Sequence, residues 1–345
     1  FRQDRTNPST AVSNWRGRLD TLKGWPSTGV STWLNGGLFG AAPLTAFGGI
    51  ITQYVDSGDS KTYRVHTFRG SGKFLVSSGS ADVDYLMIGG GGGGNAGNAG
   101  SGAAGGGGGA GGVRQNVAHS VTVTAGTYTI VVGTGGASNS DGAASDGVDT
   151  TAFSLTADGG GKGGNPTTSS GAGGDGGSGG GGGSTYGAGS QTSTSGGSAS
   201  GAGDGNDGGD QTNNTAISGA GGGGAGAVGG NASAGSSNDS QAGAGGAGAN
   251  YIGITSTDSG GSGSITYAGG GGGSTFSDTS GSVTAAAGGS GGGGTGTVAW
   301  TQAGVAYGTG GVPNTGSGAG GAPRDYLAHR AGGAGIVIIR YEVAA

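Results

Sequence analysis

The stretch "GDGNDGGD" at residues 203–210 is the best candidate for a cation site in this sequence. Asp204, Asn206, Asp207 and Asp210 offer the hard oxygen ligands that calcium prefers, and the stretch faintly resembles a calcium-binding β-roll repeat. The pattern occurs once and lacks the regular apolar position of that repeat. Exposed Asp-Gly turns are the default interpretation, so we predict no metal ion and no cofactor.

Residue types for catalysis are scarce. Lys73 and Lys162 are flanked by glycine, but neither is followed by the Ser or Thr that would hold Mg²⁺ in a phosphate-binding loop. The pattern G-x-G-x-x-G recurs, yet no helix with a later acidic residue follows it. The histidines are only His66, His119 and His329, beside a single glutamate, which leaves no acid–base cluster. We therefore predict that the chain is not an enzyme.

Recognition is better supported than catalysis, because several aromatic residues lie in predicted loops between glycine tracts. Sugar rings commonly stack on such aromatic side chains while Asp, Asn and Arg supply hydrogen bonds. We predict these residues to be exposed and to bind a surface glycan; the alternative is that several cap the ends of glycine segments. The candidates are Tyr186, Tyr251, Phe276, Trp300, Tyr307 and Tyr326.

Residues 1–60 differ in amino-acid composition from the rest of the chain, and we interpret them as an attachment arm. Apolar residues recur at helical spacing from Val12 to Leu22, before Gly24 and Pro26. Trp15, Trp25 and Trp33 either pack locally or dock on a partner, because so short a segment buries few large aromatics.

Charge is distributed unevenly. Between Gly133 and Ala322 the only basic residue is Lys162, against eleven aspartates. This acidic region argues against nucleic acid and anionic membranes as partners. No apolar run approaches the roughly 18 residues of a membrane span, so we expect no membrane insertion.

Short β-type runs begin at residue 61. "TYRVHTFRG", "KFLVSSG" and "DVDYLMI" are typical of a three-stranded meander, and "SVTVTAGTYTIVVG" of a hairpin that turns at Ala125-Gly126. "TAFSLTA" adds a strand. The apolar "GIVIIRYEV" near the end predicts a strand inside a sheet. We predict a β-sandwich from residues 61–157 and 336–345.

The remaining question is why the strand ending at Ile88 continues into six glycines. Glycine disfavours α-helix and offers a strand nothing to pack, but it suits polyproline-II-type helices that pack closely and hydrogen-bond to one another. The predicted fold class is therefore mainly β with little α-helix: a β-sandwich joined to a bundle of packed polyglycine-II helices over residues 158–335. Interior positions are expected to be Gly, with Ala, Ser, Asn and Asp outside. The predicted helical runs are Gly89–Gly94, Gly105–Gly109, Gly221–Gly224, Gly269–Gly273 and Gly291–Gly294.

Four boundary motifs carry a resemblance to a known family. "FRGSGKFLVSSGSADVDYLMIGGGGGG", "GAGGVRQ", "VTVTAGTYTIVVGTGG" and "GAGIVIIRY" resemble the glycine-rich domain of tailed-phage virion proteins, common in marine and cyanobacterial phages. The resemblance covers residues 68–341. T-even-type tail-fibre adhesins share the architecture of packed polyglycine helices and carry their specificity in variable loops between glycine motifs.

The resemblance implies a phage virion fibre or adhesin-type structural protein located in the virion. Its N-terminal arm would attach it to other virion proteins or identical subunits, and loops of the glycine-rich domain would contact a host-surface glycan or outer-membrane component. Two alternatives stay open at this point. One is a capsid or tail decoration protein without receptor binding, and the other is a secreted bacterial surface filament or silk-like protein.

Overall fold

The computed structural model describes most of the chain after residue 42. The predicted helix and the three tryptophans of the arm lie outside this part. The described residues are 43–56, 58–96, 103–138, 144–166, 171–184, 196–199, 205–212, 217–233, 241–251, 265–277, 283, 285–300, 304–323 and 330–343.

One curled antiparallel sheet dominates the strand content and confirms the mainly β prediction. Its strands are β1 (Thr45–Phe47), β2 (Ile50–Val55), β3 (Thr62–Phe68), β4 (Gly72–Ile88), β5 (Val113–Ile130) and β13 (Ile336–Glu342). They follow the order β1-β4-β13-β3-β2, and β5 pairs with β4. The sheet therefore already includes β1 and β2, which lie within residues 1–60.

The last strand occupies the interior of the sheet, as its apolar sequence predicts. β13 pairs with β3 on one side and with the second half of β4 on the other. Its residues from Ile336 to Tyr341 are all buried. The two ends of the described chain thus meet in one sheet.

Two local predictions are wrong. "KFLVSSG" and "DVDYLMI" form the single strand β4, and "SVTVTAGTYTIVVG" runs largely within β5 instead of turning at Ala125-Gly126. β5 pairs with β4 along its length, with register shifts between Val76 and Ser80 and between Val83 and Tyr85. These irregularities bend two long strands, which makes one curled sheet out of the expected separate hairpins.

The curl creates two apolar cores. The first contains Phe74, Met87 and Ile339 and continues onto the hairpin formed by β6 (Thr150–Ala152) and β7 (Leu155–Ala157). The predicted single strand "TAFSLTA" is therefore a hairpin of two short strands. The second core, on the opposite face, contains Leu86 and Ile338 and receives side chains from the glycine-rich region. The sheet is thereby joined to that region through packed side chains.

His66 is fully buried in the first core. Its ring lies 5.0 Å from the Phe74 ring, and its Nδ1 is 2.7 Å from the carbonyl oxygen of Gly48. Burial lowers the pKa of His66 below that of a free imidazole, although the contact with the carbonyl oxygen of Gly48 opposes the shift.

The lowered pKa of the buried His66 predicts that the stability of the fold depends on pH. The unfolded chain takes up a proton near the unperturbed pKa while the folded chain does not, so stability falls as the pH drops below that value. We expect the urea midpoint to decrease between about pH 7.5 and 5.5. His66→Gln, which keeps a donor for Gly48, should flatten this slope relative to the unmodified chain. Equal slopes would mean that His66 does not carry the effect.

The glycine-rich segments form a bundle whose hydrogen bonds repeat every three residues. Gly89, Gly92 and Asn95 donate their backbone N–H to Gly112, Gly109 and Gly106, at 2.8 to 3.2 Å. The residues between them donate to other segments: Gly90 and Gly93 to Val148 and Ser145, and Gly91 to Gly333. A helix with three residues per turn presents its N–H groups in this order.

Segment 105–112 shows how completely a central segment is surrounded. It donates hydrogen bonds to three segments, around residues 158–164, 220–223 and 316–322. It accepts hydrogen bonds from three others, around residues 89–95, 178–184 and 271–274. Six neighbouring segments therefore enclose it through backbone hydrogen bonds.

Burial follows the same period at the edge of the bundle. In residues 241–248, Gln241, Ala244 and Ala247 are exposed, while Gly243 and Gly246 are buried. A Cβ added to Gly246 would lie 2.2 Å from the carbonyl oxygen of Ala227. Glycine is thus required on the inward face, whereas alanine is accommodated outside.

The predicted polyglycine-II dihedrals stay a prediction for most runs, but Gly291 and Gly292 do not fit them. Their φ angles are +92° and +104°, which belong to a turn and not to a helix with φ near −75°. The prediction that small polar residues lie on outer faces is wrong for two serines. Ser178 and Ser274 are fully buried, and the Ser274 hydroxyl donates to the carbonyl oxygen of Gly105 at 2.9 Å.

Five short strands lie at the ends of the bundle. β8 (Ala249–Tyr251) and β9 (Ile265–Tyr267) form a hairpin at the end next to the sheet. The others form a small three-stranded sheet. They are β10 (Thr275–Ser277), β11 (Val298–Trp300) and β12 (Gly304–Ala306).

Candidate functional site

The end of the bundle away from the curled sheet, called here the distal end, brings together residues that flank many chain connections. Isolated bridges join Ala96 to Ala322, and Ala104 to both Ser184 and Pro323. Ser218 bridges to Thr275 in the same way. Each of these residues stands within a few positions of a connection, so several connections start and end at this one face.

A small apolar cluster closes the distal end. Phe276 is 3% exposed and packs with Ala104, Ile217 and Ala299. The predicted exposure of Phe276 is therefore wrong, because the ring fills the space where glycine segments end. Trp300 belongs to β11, beside Phe276's strand.

Tyr251 is also buried, and it lies at the opposite end of the bundle. It is 4% exposed and packs near Tyr267, with ring centroids 6.5 Å apart, in the core shared with the sheet. Its predicted exposure is wrong because the sheet provides an apolar face that the local sequence does not reveal. Neither Tyr251 nor Phe276 offers an accessible ring to a ligand.

Tyr307 is exposed as predicted and stands beside Arg330. It directly follows β12 and is 61% exposed. The Arg330 guanidinium carbon lies 6.0 Å from the centre of the Tyr307 ring. Sequence reasoning did not select Arg330, although it is one of few basic residues in this region. Tyr186 and Tyr326 lie outside the described residues, as do Trp15, Trp25 and Trp33.

Aspartates of the bundle accept backbone hydrogen bonds from neighbouring segments. Asp207 accepts from the N–H of Ala199 and Asp210 from that of Gly196, at 2.6 and 2.9 Å. Asn206 donates its side-chain amide to the carbonyl oxygen of Gly224 at 2.8 Å. These side chains therefore complete the hydrogen bonding at edges of the bundle.

In the ranges that the structure covers, no group of three or more acidic or histidine side chains is arranged to hold a metal ion. Asp204 is outside these ranges. Among the same residues no helix is long and apolar enough to span a membrane.

A buried ionic network in the sheet escaped the sequence analysis. Arg340 of β13 is 7% exposed, and its Nε donates to Asp84 at 2.9 Å, while its Nη1 donates to the hydroxyl of Tyr54 at 2.9 Å. Its guanidinium carbon lies 4.3 Å from the ring centre of Tyr63. Burial alone would lower the pKa of Arg340, but the hydrogen bonds with Tyr54 and Asp84 raise it instead. Arginine inside the apolar run "GIVIIRYEV" was the available signal.

His119 connects this network to the surface. Its Nδ1 lies 3.0 Å from the Asp84 carboxylate, and its side chain is 43% exposed. Asp84 therefore has cationic or polar partners on both oxygens. The arrangement neutralises a buried charge with hydrogen bonds and ion pairs, so we interpret it as structural.

A family model described as a glycine-rich domain matches residues 67–342. Among curated proteins, no sequence matches the chain.

Proposed function

Because the chain belongs to the glycine-rich domain family over residues 67–342, we propose that its bundle is a rigid scaffold for surface recognition. In this proposal the chain is a phage virion fibre or adhesin-type structural protein. It is attached to other virion proteins or identical subunits through its N-terminal arm, and it contacts a host-surface glycan or outer-membrane component through the distal end.

The packing of the bundle supports a scaffold role. A segment enclosed by six hydrogen-bonded neighbours, such as 105–112, cannot bend without breaking several contacts at once. Its glycines leave no room even for a methyl group: a Cβ on Gly107 would lie 2.2 Å from the carbonyl oxygen of Gly271. Binding residues collect where loops are held by such rigid elements.

The proposal is carried by the arrangement of the two ends of the bundle, with the sheet at one end and many chain connections at the other. The first described residues lie at the sheet, where Leu44 joins the first core. Connections flanked by Ala96, Ser184 and Pro323 gather at the other end. Attachment at the sheet and recognition at the distal end would use the bundle as the spacer between them. The placement in a virion rests on the family resemblance of the boundary motifs.

The test replaces one connection at each end of the bundle. Residues 185–195, between Ser184 and Gly196, are exchanged for a short Gly-Ser linker. The matched control exchanges residues 252–264 in the same way, between the sheet-side strands β8 and β9. Binding of the fluorescently labelled full chain to a panel of intact bacterial cells is measured by flow cytometry.

We expect the full chain and the sheet-side variant to bind at least one cell type, and the distal variant to lose that binding. Thermal unfolding of both variants verifies that the bundle is intact. Equal binding by the two variants, or no cell binding by the full chain, would overturn the recognition role and leave a decorative function.

A further inference from the structure

Tyr307 and Arg330 lie next to each other at the distal end, with the guanidinium carbon 6.0 Å from the ring centre. At 61% exposure, Tyr307 is more accessible than any other aromatic side chain whose burial the structure describes. Segments 307–311 and 330–333 lie side by side, because Gly311 donates its N–H to the carbonyl oxygen of Ala331 at 3.1 Å. The ring and the guanidinium thus project from adjoining segments.

The backbone of Arg330 is held in place, and no carboxylate among the described residues neutralises its charge. Its N–H donates to the hydroxyl oxygen of Ser138, which ties it to a third segment. Among the described residues, its buried Nε has no hydrogen-bond partner. No described carboxylate lies within 4.0 Å of its guanidinium.

Three described aspartates of the bundle accept backbone hydrogen bonds from other segments and form no ion pair with Arg330. Asp146 accepts from the N–H of Lys162 and Asp175 from that of Ser198, at 2.8 and 2.7 Å. Asp149 accepts from the N–H of Gly159 at 2.8 Å. A fixed cation beside an exposed ring, in an otherwise acidic region, favours a ligand that is both anionic and flat on one face.

We propose that Tyr307 and Arg330 bind a sugar residue that bears a carboxylate, such as a uronic acid. The C–H face of the sugar stacks on the Tyr307 ring, and the carboxylate accepts hydrogen bonds from the terminal Nη groups of Arg330, whose planar fork matches its geometry. The site rests on the proposed function, because it lies next to β12 at the distal end. It narrows the class of ligand to acidic polysaccharide.

The test titrates a short oligogalacturonate into the full chain by isothermal titration calorimetry, with a neutral galactan of the same length as the reference ligand. We expect binding of the acidic ligand only. Tyr307→Ala and Arg330→Gln should each weaken it roughly tenfold or more. Arg330→Lys should be intermediate, because it keeps the charge but loses the fork. Lys162→Gln, the matched loss of a cation away from an exposed ring, should leave the affinity unchanged.

Two results would overturn this site: no oligogalacturonate binding by the full chain, or undiminished binding by Arg330→Gln. Neither result touches the proposed function, which the cell-binding assay decides separately. A chain that binds cells through the distal end but ignores oligogalacturonate would keep its recognition role and lose this ligand class. Thermal unfolding of each variant excludes loss of folding as the cause.

Discussion

Gly271→Ala is expected to lower the free energy of unfolding by about 3 kcal/mol, at the upper end of the usual cost of overpacking. A Cβ at this position would lie 1.9 Å from the carbonyl oxygen of Ala319. The backbone cannot yield easily, because Gly271 donates to Gly108 and accepts from Gly222, both at 2.8 Å. Its φ is not positive, so space and not conformation excludes alanine.

The control is Ala244→Val, which adds even more volume (two carbons against one) but on the exposed face of an edge segment. We expect it to change stability by less than about 0.5 kcal/mol, as surface substitutions usually do. Chemical denaturation monitored by circular dichroism measures both variants. Similar midpoints for the two would contradict a close-packed glycine interior.

The close packing of hydrogen-bonded glycine segments was predictable from the sequence because its cause is local. Six glycines after a buried strand leave few regular conformations, and close packing of helices without Cβ atoms is the one that returns hydrogen bonds. The three-residue repeat of hydrogen bonds from Gly89 to Asn95 follows from that reasoning. The turn at Gly291 and Gly292 did not follow from it. Glycine also permits positive φ, and the sequence alone does not distinguish a glycine in a turn from one in an extended helix.

Side-chain exposure was less predictable, because it depends on segments that are distant in sequence. Tyr251 looks isolated between glycine tracts, yet it packs against the sheet in the core that contains Leu86 and Ile338. Phe276 finds Ile217 and Ala104 in the same way. The long strands β4 and β5 were missed for a related reason: Gly79 and Gly126 are typical turn residues, but here they accompany a bulge.

Within the candidate site, Tyr307 could be selected from the sequence and Arg330 could not. An aromatic residue beside glycine tracts is a recognisable pattern. The proximity of Arg330 depends on the order of segments in the bundle, which brings 330–333 alongside 307–311. That order is a property of the whole packing and has no local signal.

Asp84→Ala is expected to lower the free energy of unfolding by about 3–5 kcal/mol, since it leaves a buried arginine without its counter-ion. Asp84 is fully buried and accepts from the Nε of Arg340 at 2.9 Å. Its other oxygen lies 3.0 Å from the ring nitrogen of His119. Removing the carboxylate therefore leaves Arg340 without its hydrogen-bonded counter-ion in the core and removes the hydrogen-bond partner of His119 at the surface.

The exposed pair between Lys61 and Glu342 provides the control for this prediction. Its atoms are only 2.7 Å apart, but both side chains are 48% exposed, so water screens the interaction. Glu342→Gln should leave the denaturation midpoint nearly unchanged, whereas the double variant Asp84→Leu with Arg340→Met should recover much of the loss, because an apolar pair needs no counter-charge. If Asp84→Ala is as stable as Glu342→Gln, the buried pair of Asp84 and Arg340 contributes no more to stability than the exposed pair. A double variant as unstable as Asp84→Ala would instead mean that the hydrogen bonds of Arg340 to Tyr54 and Asp84 are required for the curl of the sheet itself.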